Sequence, residues 1–354
     1  MIQRRTLLKS SAAVALGAPA LSGLAQQSVT LKFHTFMAPQ SNVWLNMHKA
    51  WMNKVEKDSG GRIKFEAYPA MQLGGTPVQL YDQAKDGVVD IVWTLPGNTA
   101  GRFPRIEVFE LPFMMNNAEA TSKAYWEYVQ TVAQDEFKDT HVIALQVHGP
   151  GMFHTKDKQI KTAADLKGLK MRIPGLAGKV YAALGVDVKL LPGGEIFPAL
   201  ERGVIDAAEF VGPYQDRRLG LQKAAKYYYT TGWHEPATVS ELLINKTAWD
   251  KLPKDLQAIV SNASAACNVI SEAWCQRTNA EAMEDLVKNQ KVIAKPLPDA
   301  VVKALRETTK KVLDEAVAKD PLVKKVHDSY MAYKAKYDAW AGYSETVYHN
   351  KIRG

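Results

Sequence analysis

Cysteine is nearly absent: the 354 residues hold two, Cys267 and Cys275. Two thiols cannot build a disulfide framework or a four-cysteine zinc site. Both fall within 261–283, which reads as a helix, and they stand eight residues apart. Eight helical residues rise roughly 12 Å, too far for a disulfide, so both read as reduced core residues. Beyond the N-terminus, no apolar run reaches the roughly 20 residues that a membrane span needs. No period of repeat length recurs, which excludes a solenoid. A G-x-S-x-G elbow, a P-loop, an H-E-x-x-H pair and a strand-borne G-x-G-x-x-G are all missing. The pair Gly74-Gly75 precedes a helix but lacks the dinucleotide fingerprint. No catalytic residue is assigned, and the chain does not read as an enzyme. Charge of one sign is not concentrated either: 45 Lys+Arg face 37 Asp+Glu, a net charge of +8. The lysines alternate with acids, as on a solvated surface, which argues against nucleic-acid binding.

What is present is an ordinary globular composition, 46 % hydrophobic and 23 % charged. Bulk disorder is thereby excluded, and the length suits two domains. The first 25 residues form three zones. Arg4, Arg5 and Lys9 make a basic start, 12–24 is apolar, and Gly23-Leu24-Ala25 ends on small residues. This pattern predicts a signal peptide cleaved near Ala25 and a periplasmic mature protein. Arg4-Arg5-Thr6-Leu7-Leu8-Lys9 is twin-arginine-like, and an ordinary secretory signal is the alternative.

Strand and helix signals then alternate. Segments 29–36, 62–68, 89–95 and 141–147 read as strands, with helices at 42–58, 77–86 and 118–134. On the first helix Val43, Met47, Trp51 and Val55 share one side. A second α/β set follows Gly149-Pro150-Gly151, with strands at 169–173, 186–191 and 207–211. Segment 237–245 reads as a crossover back to the first set, and almost everything after Thr247 reads as helix. The expected fold is α/β with two lobes. Lobe I takes 26–147 plus about 237–265, lobe II takes 148–236, and 266–354 is helical and packs on both. Two α/β lobes joined by more than one crossover make a hinge and a cleft, with ligands at the carboxyl ends of strands.

The chemistry-bearing residues lie at those ends. In Lys170-Met171-Arg172-Ile173-Pro174, Arg172 sits in an apolar strand beside the cleft. Its planar fork suits a carboxylate through two parallel charge-assisted hydrogen bonds. Glu209 stands between Ala207-Ala208 and Phe210-Val211. A carboxylate in such surroundings needs a partner, either Arg172 as a structural pair or a bound cation. Tyr214 reads equally as a ligand hydroxyl and as a packed ring. Phe36, Trp93 and Trp233 lie near strand ends, where aromatic residues are core more often than ligand cage; Phe36, Trp93 and Phe210 are candidate apolar walls, and His34 and His148 lie in cleft loops.

The run 166–174, Leu-Lys-Gly-Leu-Lys-Met-Arg-Ile-Pro, resembles a signature of the periplasmic solute-binding proteins of TRAP transporters, the DctP family. The blocks 195–209 and 245–253 are similar to the family's second and third blocks, in order and at matching intervals. The resemblance implies a type II periplasmic binding fold with a long helix across both lobes. It implies that Arg172 grips the carboxylate of a small organic acid, delivered to an ion-gradient-driven TRAP permease. The segment 209–214, with Tyr227-Tyr228-Tyr229 and 232–236, looks most like the subgroup binding 2-oxoacids and lactate. In that subgroup the positions of Glu209 and the Phe210 backbone carbonyl hold a cation, Na+ or Ca2+, that touches the ligand. Phe210 stands where tryptophan is usual, and Gln146 or His148 would substitute for a missing glutamine. No cofactor is otherwise required. Members of the subgroup dimerise through C-terminal helices, which points to the region from Thr308. The rival readings are an exported twin-arginine-dependent enzyme and an ABC-type binding protein.

Overall fold

The structure, a computed structural model, describes residues 28–99, 101–113, 118–148, 153–230, 232–235 and 238–353. The expected signal segment lies outside them.

Eleven described strands form two sheets. The first holds β1 (Val29–Thr35), β2 (Ile63–Tyr68), β3 (Ile91–Thr94), β4 (Thr140–His148) and β10 (Thr238–Asn245), in the order β2-β1-β3-β10-β4. The second holds β5 (Phe153–Thr155), β6 (Lys170–Arg172), β7 (Asp187–Lys189), β8 (Ala207–Glu209), β9 (Tyr227–Tyr229) and β11 (Ile293–Lys295), in the order β11-β9-β5-β8-β6-β7. Both sheets are mixed. β1 runs parallel to β2 and β3, whereas β10 is antiparallel to β3 and β4. In the second sheet β6 is parallel to β7 and β8, and β5 is antiparallel to β8 and β9.

Local sequence explains these elements. Leu31 and Phe33 alternate along β1 and are buried. Val43, Met47, Trp51 and Val55 all face the core, although the first turns, Val43–His48, are π-helical and only Lys49–Asp58 (α1) is α-helical. Gly60 and Gly61 stop α1 by taking positive φ, 60° and 78°. β10 is buried along nearly its whole length because it lies between β3 and β4. The segment expected to cross back to the first set joins its sheet as an interior strand.

Lys254–Lys288 (α2) is longer than the expected 261–283 helix, at 35 residues. At about 1.5 Å per residue it extends roughly 50 Å. It packs against α1 and β4 and, further along, against the short helix Pro213–Arg218. Cys267 and Cys275 lie buried along it and are not bridged by a disulfide. The expectation of helix throughout 266–354 needs a correction: β11 pairs in parallel with β9 and adds an edge strand to the second sheet. Three residues are too few to show a strand period. No described helix is long and apolar enough to cross a membrane.

The core of the first sheet also buries an acid. Glu241 on β10 has no exposure, and the Tyr125 hydroxyl donates to its Oε2 at 3.0 Å. Burial pushes the Glu241 carboxyl up to about 8, with the Tyr125 hydrogen bond opposing. The folded state then holds a proton that the unfolded chain releases near its ordinary value of 4.5. This contribution to stability is complete below the unfolded value and falls as pH rises towards 8. Glu241→Gln should flatten that slope, measured as denaturation midpoints at acidic, neutral and mildly alkaline pH. An unchanged slope would remove Glu241 from the account.

Candidate functional site

Arg172 closes β6, with Ala208 of β8 and Lys189 of β7 as its register partners. The side chain is 3 % exposed. Its Nε donates to the Leu191 carbonyl at 3.1 Å. Its Nη1 donates to the Glu209 carbonyl at 2.8 Å and to Glu209 Oε2 at 3.3 Å. Nη2 makes no hydrogen bond to the described residues. The guanidinium is thus held from behind with one nitrogen of its fork uncommitted. Burial draws its pKa down, and Glu209, Glu235 and Asp216 oppose this.

Glu209 ends β8, where strand pairing fixes its backbone between β5 and β6. Its second oxygen, Oε1, faces His234 Nε2 at 3.8 Å, an ion-pair distance too long for a hydrogen bond. Burial opposes charge on His234, but Glu209 and Glu235 together raise its pKa. Glu235 accepts from the Thr238 hydroxyl at 2.6 Å. Burial, then the Glu209 carboxylate, pushes Glu235 up to about 7.

These groups open on a cavity between the two sheets. Phe36, Met37, Trp93, Leu95 and Thr238 line it from the first sheet. Arg172, Pro174, Glu209, Phe210 and Val211 line it from the second, and Glu235 from the connection between them. Phe36 and Trp93 pack at 5.6 Å between centroids. The Arg172 guanidinium lies 5.4 Å from the Phe210 ring centre. The cavity therefore offers one cationic donor and aromatic walls.

Of the residues singled out in the sequence, Arg172, Glu209, Phe210, Trp93 and Phe36 meet at this cavity. His34 does not. Its Nδ1 lies 2.6 Å from Gln83 Oε1, and its Nε2 accepts from the Leu73 amide at 3.4 Å. Tyr214 does not either. Its amide donates to Asn279 Oδ1, and its ring meets Trp274 edge-on at 5.1 Å, so it serves the packing against α2. Trp233 donates through Nε1 to the Tyr181 hydroxyl and sits in the second lobe's core. The backbones of His148 and Gln146 pair with Thr238 and Ser240, while their side chains lie outside the described structure. Glu235, Thr238, Met37 and Leu95 were not singled out individually. Only the resemblance of 232–236 drew notice to Glu235.

A cation at Glu209 was also expected. Here its carbonyl and both carboxylate oxygens face Arg172 or His234. Among the described residues, no group of three His, Cys, Asp or Glu side chains is placed to hold a metal. A bridging Na+ or Ca2+ at Glu209 would meet the Arg172 and His234 side chains that its carboxylate now faces.

Residues 34–320 match the family described as DctP, bacterial extracellular solute-binding protein, family 7. The chain belongs to the DctP family. It is 32 % identical to a monocarboxylate 2-oxoacid-binding periplasmic protein of Nostoc, over 99 % of this chain and 98 % of the relative. A TRAP solute-binding protein from Rhodoferax ferrireducens, crystallised with copurified benzoate, is 48 % identical with a TM-score of 0.77. That match covers 89 % of this chain and all of the other. A Bordetella bronchiseptica TRAP protein, a dimer with copurified calcium and picolinate, is 26 % identical with a TM-score of 0.85, covering 92 % and 97 %. The DctP chain has the type II periplasmic binding fold of these receptors.

The segments that follow β3 and β6 also touch beside the cavity, at Gly97 and Gly175. A Cβ on Gly97 would lie 2.9 Å from the Gly175 Cα and 2.9 Å from Glu110 Oε2. The Gly97 amide donates to Glu110 Oε1 at 3.0 Å. Gly97→Ala should therefore hold the two halves apart. A larger radius of gyration in solution scattering, with the melting temperature nearly kept, is the expected result. An unchanged radius would show that this contact does not set the separation.

Proposed function

We propose that this DctP protein captures an aromatic monocarboxylate of about benzoate's size and delivers it to a TRAP permease. The observation that carries the reading is Arg172, braced by Leu191 and Glu209 with Nη2 uncommitted, against the rings of Phe36, Trp93 and Phe210. A buried carboxylate needs a charge-assisted donor, and its apolar body needs apolar walls. The benzoate in the Rhodoferax relative and the picolinate in the Bordetella one agree with this chemistry. Between them, the relatives are receptors and not enzymes, which supports the non-catalytic reading over an exported oxidoreductase. A TRAP permease, rather than an ABC one, follows from the same relatives.

Binding couples to closure of lobe I, built on the first sheet, over lobe II, built on the second. The cavity holds about 20 Å³, roughly the space of one water. A ring-sized acid enters only when the lobes part. Arg172 takes the carboxylate, and the Phe36–Trp93 wall closes on the ring. Closure is favoured by contacts that exist only when both walls touch the ligand. Export through the 1–25 signal places this cycle in the periplasm. The helical end from Thr308 carries the exposed residues Trp340, Tyr343 and Tyr348, which support pairing of two copies there.

Thermal unfolding with benzoate and pyruvate tests the assignment. At about 100 times its dissociation constant, a true ligand adds roughly 2.7 kcal/mol of stability. Arg172→Lys keeps a charge beside Glu209 but loses the planar fork. It should weaken benzoate by about tenfold to a hundredfold, as the loss of a charged hydrogen bond implies. Equal responses from wild type and variant would remove Arg172 as the anchor.

A further inference from the structure

Gly193 stands outside the cavity lining but supports one of its walls. It is the first residue of the helix Gly193–Glu201 and is buried. A Cβ built there would lie 2.7 Å from Phe210 Cζ and 3.0 Å from Cε2. Real Cβ atoms do not approach an aromatic carbon that closely. The φ of Gly193 is not positive, so backbone freedom does not explain the glycine. What the position requires is space for the tip of the Phe210 ring. The neighbouring Gly194 is unlike it, since a Cβ there would meet nothing within 4 Å.

Phe210 is held on two sides. Its tip rests on Gly193, and the Arg172 guanidinium lies 5.4 Å from its centre. The same short segment supplies the Leu191 carbonyl that accepts from Arg172 Nε. The 191–193 stretch thus sets both the anchor and the wall next to it. Phe210 lines the cavity beside Arg172, so a shift of its ring off Gly193 changes the room next to the anchor.

We infer that Gly193 is a specificity-determining residue: by leaving space for the tip of the Phe210 ring, it gives the site the room to take a ring-sized carboxylic acid. This rests on the reading that the acid sits between Arg172, Phe210 and Trp93. Gly193 touches the ligand only through Phe210, so it is a positioning residue.

The test is a calorimetric panel of carboxylic acids graded in size, from pyruvate through aliphatic acids to benzoate and 3-hydroxybenzoate. Gly193→Ala should lower affinity for the aromatic acids by about tenfold or more and leave pyruvate within about threefold. Gly194→Ala should match wild type throughout. Phe210→Leu removes the ring tip, so adding Gly193→Ala to it should change little. A Gly193→Ala protein that binds benzoate like wild type overturns the inference. So does an equal loss for large and small acids, which would indicate damage at Arg172. Wild type alone judges the aromatic reading: if it takes only aliphatic acids, that reading falls. The size cut-off within the aliphatic series then still decides the role of Gly193.

Discussion

A guanidinium removed from water sets the terms for the cleft. Arg172 cannot be neutralised at physiological pH, so every charged group near it must be arranged around it. Two backbone carbonyls, Leu191 and Glu209, absorb part of its hydrogen-bonding capacity without adding net charge. The Glu209 carboxylate adds a distant and longer partner at 3.3 Å. The arrangement fixes the direction of the fork and leaves it able to accept a second anion. Strand pairing of β6 with β8 makes this possible, because it puts Arg172 and Glu209 at neighbouring strand ends.

The interior around this cation carries more acid than base. Glu110, Glu235 and Glu241 are all buried, and burial raises the pKa of each. Among the described residues none has an arginine or lysine in hydrogen-bond contact. Each relies on a neutral donor instead: the Gly97 amide, the Thr238 hydroxyl or the Tyr125 hydroxyl. Keeping a proton avoids the large cost of an unpaired buried charge. Among the described residues Arg172 then hydrogen-bonds one carboxylate, that of Glu209, and its Nη2 remains for an incoming one.

Much of this was legible in the sequence, for a definite reason. Arg172 and Glu209 interrupt apolar strands just before Pro174 and Gly212, and a charge in such a place has few structural excuses. Phe36 and Trp93 fall at the ends of β1 and β3, where α/β folds place ligands. The misses have equally definite causes. His34 is one residue from Phe33, but its neighbour Gln83 comes from a distant helix that no local pattern reveals. Tyr214 lies just past the cavity on a helix whose partner, Asn279, is 65 residues away. Glu235 sits in an irregular connection, where neither period nor spacing gives a side chain a direction. β11 is too short to carry alternation at all.

β11 also bears on how the molecule is made. Its partner β9 lies more than sixty residues earlier, and α2 occupies most of the interval. Likewise β10 joins β3 and β4 only after the whole central part of the second sheet has been synthesised. The first sheet can complete its hydrogen-bonded ladder only once β10 has been made, and the second only once β11 has. Pairings so distant along the chain delay the rate-limiting step of folding. An unfinished polypeptide of this design therefore leaves the β9 edge without its β11 partner until synthesis has passed residue 295.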